Sequence, residues 1–106
     1  VGVAQSVRIG QHAFIGGFSA IDKDVAPYII GVGNRVKIRG VNLVGLKRRG
    51  YAGDRLKSII EAHKLYFDSD KEKAQALAEI EELFSDQSDV QYFVQFVKDS
   101  KIGLHR

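Results

Sequence analysis

Val3-Ala4-Gln5-Ser6-Val7-Arg8-Ile9-Gly10-Gln11-His12-Ala13-Phe14-Ile15-Gly16-Gly17-Phe18-Ser19-Ala20-Ile21-Asp22 decides the fold, because an aliphatic residue returns at every sixth position: Val3, Ile9, Ile15 and Ile21. A small or turn-forming residue follows each of them: Ala4, Gly10, Gly16 and Asp22. A second row, Val1, Val7, Ala13, Ser19 and Val25, runs in phase two positions earlier. A period of six fits neither a helix, at 3.6, nor a simple amphipathic strand, at 2. It fits a β-solenoid of short parallel strands joined by tight corners, in which each inward aliphatic side chain stacks on its copies in neighbouring coils. Glycine is expected at the corners because it tolerates positive φ. Four hexads make little more than one triangular coil, and a coil exposes its stacking face until a neighbour covers it. The expectation is therefore that further coils upstream, or other subunits, cover this one.

The repeat ends in sequence near Val25-Ala26-Pro27-Tyr28, where the single proline interrupts a regular ladder. A last extended segment is expected around Val36–Arg39, then a loop through Asn42 to Tyr51. From Asp54 onward the apolar spacing becomes helical. Asp54 is expected to cap a first helix carrying Leu56, Ile59, Ile60, His63, Leu65 and Phe67. Ser69 and Glu72 have capping-box spacing for a second, with Ala76, Leu77, Ile80, Leu83 and Phe84 inward. Ser88 is expected to cap a third, whose Phe93 and Phe96 read as core. The fold class is thus β solenoid plus α, with residues 1–50 as the solenoid end and a loop, and 51–106 as a three-helix cap.

The chain has 106 residues, 44% of them hydrophobic, which suits a globular unit. It has no cysteine, which excludes disulfides and thiolate metal sites and is compatible with a cytoplasmic location. No apolar run reaches the ~20 residues of a membrane span. Val1–Gln5 lacks the basic and apolar regions of a signal peptide. The net charge of +3 is unevenly placed: residues 1–51 carry +6 and the remainder −3. From Arg35 to Arg49 there are six cations and no anion, a run that needs solvent or an anionic partner. No aromatic residue interleaves with those cations, so nucleic acid is not the expected partner.

Taken together, the hexads, Asp24-Val25-Ala26-Pro27-Tyr28, Gly33-Asn34, Gly40-Val41-Asn42 and Gly45-Leu46-Lys47-Arg48-Arg49-Gly50, followed by three helices, resemble the UDP-N-acetylglucosamine O-acyltransferases of lipid A synthesis. The likeness runs over nearly the whole chain and is most specific from Asn42 to Gly50. It implies the end of a left-handed parallel β-helix, a homotrimer with sites between subunits, and no metal or dissociable cofactor. It also implies transfer of a 3-hydroxyacyl group from acyl carrier protein to the 3-hydroxyl of UDP-N-acetylglucosamine, with a histidine as general base.

The resemblance places that histidine in coils upstream of Val1, so none of His12, His63 and His105 is expected to be catalytic. It assigns Asn42, Arg48 and Arg49 to the nucleotide, Gln5 to the cleft near sugar and acyl chain, and Gly17 to an acyl-length ruler left open by glycine. Guanidinium forks suit a diphosphate and a carboxamide suits a uracil edge. Lys37, Arg39 and Lys47 are candidates for docking the acidic carrier protein through charge complementarity. The sequence departs from the family's pattern at Ala4, Ser6 and Val44; at Val44 a glutamate contact to the nucleotide is lost. The alternative reading is a non-catalytic trimeric cap that binds a uridine nucleotide or an acidic carrier protein.

Overall fold

A computed structural model describes residues 2–106; Val1, the first member of the second hexad row, lies outside the described residues. Strand β1 (Gly2–Val3) pairs in parallel with β3 (Ala20–Ile21), with Gly2 opposite Ala20 and Val3 opposite Ile21. The offset is eighteen residues, or three hexads, as the period predicts. Strand β2 (Phe14–Ile15) pairs in parallel with β4 (Ile29–Val32), here with an offset of sixteen. Isolated parallel bridges join Ile9 to Val25 and Ala20 to Asn34. The parallel winding therefore continues beyond Pro27, although the sequence repeat has stopped. Pro27 is tolerated because its neighbours carry the ladder: Val25 N donates to Arg8 O at 2.9 Å and Tyr28 N to Gln11 O at 2.9 Å. Strand β5 (Lys37–Val41) then turns back antiparallel on β4, with a register shift at Ile30/Gly31.

Positive φ falls on Ser6, His12 and Phe18, again six apart, and not on the hexad glycines. The expected reason for Gly10 and Gly16 was therefore wrong. Their need is room: a Cβ on Gly10 would lie 2.3 Å from Pro27 N, and one on Gly16 would lie 3.0 Å from Val32 Cγ2. Burial along the main row rises from Val3 (53% exposed) and Ile9 (44%) to Ile21 (2%). Val3 and Ile9 stay exposed because, among the described residues, they pair only with the following coil, at Ile21 and Val25.

A short helix, α1 (Leu43–Arg48), replaces the expected loop. Three longer helices follow: α2 (Gly53–His63), continued by a π-helical turn over Lys64–Asp68, α3 (Lys73–Leu83) and α4 (Ser88–Lys98). Their number and inward faces agree with the periodicity, with Phe93 and Phe96 buried. Leu83 departs from it: it ends its helix and is 58% exposed. None of the three expected caps forms. The residues preceding the helices are Ala52, Glu72 and Gln87, without a side-chain capping bond, and Ser69 Oγ instead donates backwards to Leu65 O at 2.6 Å.

One hydrophobic cluster, from Ile21, Val25 and Ile29 to Leu46, Ile59, Ile80 and Phe93, spans coil and helices. The end of the chain closes it. Leu104 bridges Asp24 in parallel, and His105 N donates to Asp24 O at 2.9 Å. The buried Asp24 carboxylate accepts from Arg8 N at 2.8 Å and from Ser100 Oγ at 2.7 Å. No helix among the described residues is long and apolar enough to cross a membrane.

Candidate functional site

The site is built on α1, and six residues form a helix there because both ends are tied. Asn42 begins it: Asn42 Oδ1 accepts from Gly45 N at 3.2 Å. Asparagine is a favoured cap because its side chain satisfies an amide that the helix cannot. The same carboxamide reaches outward, Asn42 Nδ2 donating to His12 O at 3.1 Å. Gly45 makes room for this clasp, since a Cβ there would lie 2.4 Å from Asn42 Nδ2. At the other end Gly50 takes φ +88, Gly50 N donates to Lys47 O and Tyr51 N to Leu46 O, both at 3.0 Å. This paired closure, with glycine in the left-handed region, is the Schellman motif. Leu46 is fully buried and pins the helix from beneath, which turns Arg48 and Arg49 to the surface. Lys47 and Arg48 also sit where cations offset the negative end of the helix dipole.

Asn42, Gly45, Arg48 and Arg49 line one groove of about 360 Å³ with His12, Ala13 and Phe14. Neither Arg48 nor Arg49 is in an ion pair among the described residues. Two unpaired guanidiniums beside a carboxamide and an imidazole make a groove for an anion that also carries hydrogen-bonding edges. The helix, and with it the groove, had a legible signal in the spacing of Asn42 and Gly50, a cap and a closing glycine eight residues apart.

His12 is a site residue that sequence reading set aside. Its backbone is in the left-handed region at φ +60. Its ring lies edge-on to Tyr51 at 5.5 Å and tilted on Tyr28 at 6.3 Å. Burial, then Arg49 and Arg55, hold its pKa below the ordinary histidine value, against an opposing pull from Asp89. Behind it, Arg55 lies 3.6 Å over the Tyr51 ring and pairs with Asp89 at 2.6 Å. Tyr28 donates its hydroxyl to Asp89 O at 3.0 Å, and burial followed by Asp89 pushes that hydroxyl's pKa up.

The other expected site residues lie apart from this groove. Gln5 is exposed in a turn of the first coil, and Gly17 is exposed with no atom within 4 Å of where a Cβ would stand. Lys37 and Arg39 are exposed on β5 and line two different clefts, one with Arg35 and His105, the other with His63 and Phe67. Lys47 is exposed on α1. Val44 is 63% exposed on the same helix. His63 is buried with Nε2 unpartnered and its pKa lowered by burial. His105 is also buried, and its Nε2 accepts from the amides of Asp22 and Lys23 at 3.2 Å each.

The sequence pattern of the family described as UDP-N-acetylglucosamine O-acyltransferase, domain 2, matches residues 24–105, which contain α1 and its arginines. The chain belongs to the UDP-N-acetylglucosamine O-acyltransferase family. The acyl-[acyl-carrier-protein]–UDP-N-acetylglucosamine O-acyltransferase of Nautilia profundicola is 42% identical over 96% of this chain, and the match spans 39% of that protein. The protein of the same name from Myxococcus xanthus is 35% identical over 98% of this chain and 40% of its own length. The crystal structure of the Moraxella catarrhalis UDP-N-acetylglucosamine O-acyltransferase superimposes with a TM-score of 0.93 at 37% identity, covering 99% of this chain and 41% of that one. This chain therefore spans about two fifths of the family members it matches.

Proposed function

We propose that the protein is an acyl carrier protein-dependent UDP-N-acetylglucosamine O-acyltransferase acting at the first step of lipid A synthesis. In this reading the 106 residues supply its nucleotide-binding lip and helical cap. The observation that carries it is the convergence of Asn42, Arg48 and Arg49 on one groove, with neither arginine neutralised by a carboxylate. The paired guanidiniums meet the diphosphate, and the free lone pair and second N–H of the Asn42 carboxamide face the base. Residues 1–50 serve as the end of a left-handed parallel β-helix and 51–106 as the cap. Gln5 and Gly17, on the coil, serve the sugar and acyl chain. Lys37, Arg39 and Lys47 present positive charge to the acidic carrier protein. A cytoplasmic homotrimer fits the exposed rings of Phe14 (56%) and Phe18 (99%), which a neighbouring subunit would cover.

The test is turnover of 3-hydroxyacyl carrier protein with UDP-N-acetylglucosamine, followed by mass spectrometry of the sugar nucleotide. The expected product carries one ester at the 3-hydroxyl. Acyl transfer to an amine, or nucleotide binding with no transfer, would contradict the assignment.

A further inference from the structure

We infer that His12 is a ligand-contacting residue of the nucleotide groove and the group that accepts a proton when the diphosphate binds. The inference deepens the nucleotide reading and rests on it. Four observations converge on this imidazole. It lines the same groove as Asn42, Arg48 and Arg49. Its main chain is fixed, with φ +60 at the coil corner and its carbonyl clasped by Asn42 Nδ2 at 3.1 Å. Its ring is wedged by Tyr28 and Tyr51. Its Nε2 has a polar neighbour, the Gln11 carboxamide, at 2.9 Å.

Burial disfavours a proton on the ring first, and the surrounding charges add to or oppose that. Arg49 from the end of α1 and Arg55 from α2 oppose a proton there, Asp89 from α4 favours one, and Tyr28 and Tyr51 contribute uncharged rings. A diphosphate on Arg48 and Arg49 shifts the balance toward the protonated ring by neutralising Arg49, one of the two opposing cations, and adding negative charge beside the imidazole. A proton from solvent then settles on the ring. The Gln11 carboxamide accommodates it by presenting Oε1 as the acceptor. No covalent bond forms or breaks, and the step takes up one proton. Each unit by which binding raises the histidine's pKa adds at most about tenfold to affinity.

The experiment is calorimetric titration of the full chain with UDP-N-acetylglucosamine, whose esterified diphosphate has no proton to gain or lose near neutrality. It is run at pH 6 and pH 8, and in buffers of different ionisation enthalpy, on wild type and on His12→Asn. Asparagine suits the comparison because it tolerates positive φ. Wild type is expected to bind several-fold more tightly at pH 6 and to take up a proton. His12→Asn is expected to bind more weakly at pH 6, with no proton uptake and no pH dependence. Wild-type binding without proton uptake, or uptake that persists in His12→Asn, would overturn the role of His12 and leave the groove standing. Absence of any wild-type binding would overturn the nucleotide reading as well.

Discussion

Asn42 and His12 are thirty residues apart in sequence, yet the Asn42 carboxamide holds the His12 carbonyl at 3.1 Å while capping its own helix. One side chain thereby fixes α1 to the coil corner, and with it the distance between the imidazole and the two arginines. The account predicts that Asn42→Ala lowers stability by about 1–3 kcal/mol, from a lost cap and a lost bond to a part-buried carbonyl. Asn42→Asp keeps the cap acceptor but sets a carboxylate against the His12 carbonyl, so it should recover only part of the loss. Urea denaturation of the two variants checks the order, wild type above Asp above Ala.

The glycines of the hexads separate by neighbour. Gly10→Ala forces a Cβ to within 2.3 Å of the Pro27 nitrogen, a clash with backbone that cannot rotate away. Its expected cost is at or above the usual overpacking range of about 1–3 kcal/mol. Gly17→Ala meets nothing within 4 Å and should change stability by no more than about 0.5 kcal/mol. If Gly17 is the acyl ruler, Gly17→Met should shift turnover toward shorter acyl donors with the melting temperature unchanged.

The buried Asp24 carboxylate is the knot that ties the last residues to the coil. Ser100→Ala should cost about 1 kcal/mol and Asp24→Ala about 3, since the latter leaves the Arg8 amide and the Ser100 hydroxyl without their acceptor. Hydrogen exchange at the His105 amide, bonded to Asp24 O at 2.9 Å, should quicken in Asp24→Ala before the amides of α2 do.

His12, His63 and His105 all have pKa values lowered first by burial. With the folded pKa below the unfolded one, the unfolded chain binds protons first as pH falls. Stability should therefore be level above the ordinary histidine range and decline below about pH 6.5. His105→Asn should flatten part of that decline, because protonating His105 turns a proton toward the amides of Asp22 and Lys23. Denaturation midpoints from pH 8 to pH 5 check the sign.

Much of this was legible because side-chain periodicity reports which face is buried. Val3 to Ile21 announced a parallel coil, and the eighteen-residue pairing of β1 with β3 follows from three hexads. Leu56, Ile59, Val90 and Phe93 announced helices by the same logic. What periodicity does not carry is connection. The winding past Pro27 rests on backbone bonds from Val25 and Tyr28, which leave no mark in the apolar pattern. The return of Leu104 and His105 to Asp24 joins residues some eighty positions apart. The three expected caps at Asp54, Ser69 and Ser88 failed because those side chains stand one or more positions away from the cap positions, which Ala52, Glu72 and Gln87 occupy. In the site, Asn42, Arg48 and Arg49 were found from a resemblance, while His12 came to light only through its neighbours, Gln11, Tyr28, Tyr51 and Arg49.

The central claim is that the α1 arginines, and not the other cations of the basic run, hold the nucleotide. The most direct measurement is the affinity for UDP-N-acetylglucosamine of Arg48→Ala and Arg49→Ala beside Lys37→Ala and Arg39→Ala. Losing a charge-assisted bond of about 1.5–3 kcal/mol predicts a roughly tenfold to hundredfold weaker Kd for each α1 variant. The β5 variants should stay within about twofold of wild type. Equal losses across all four, or none at Arg48 and Arg49, would contradict the account.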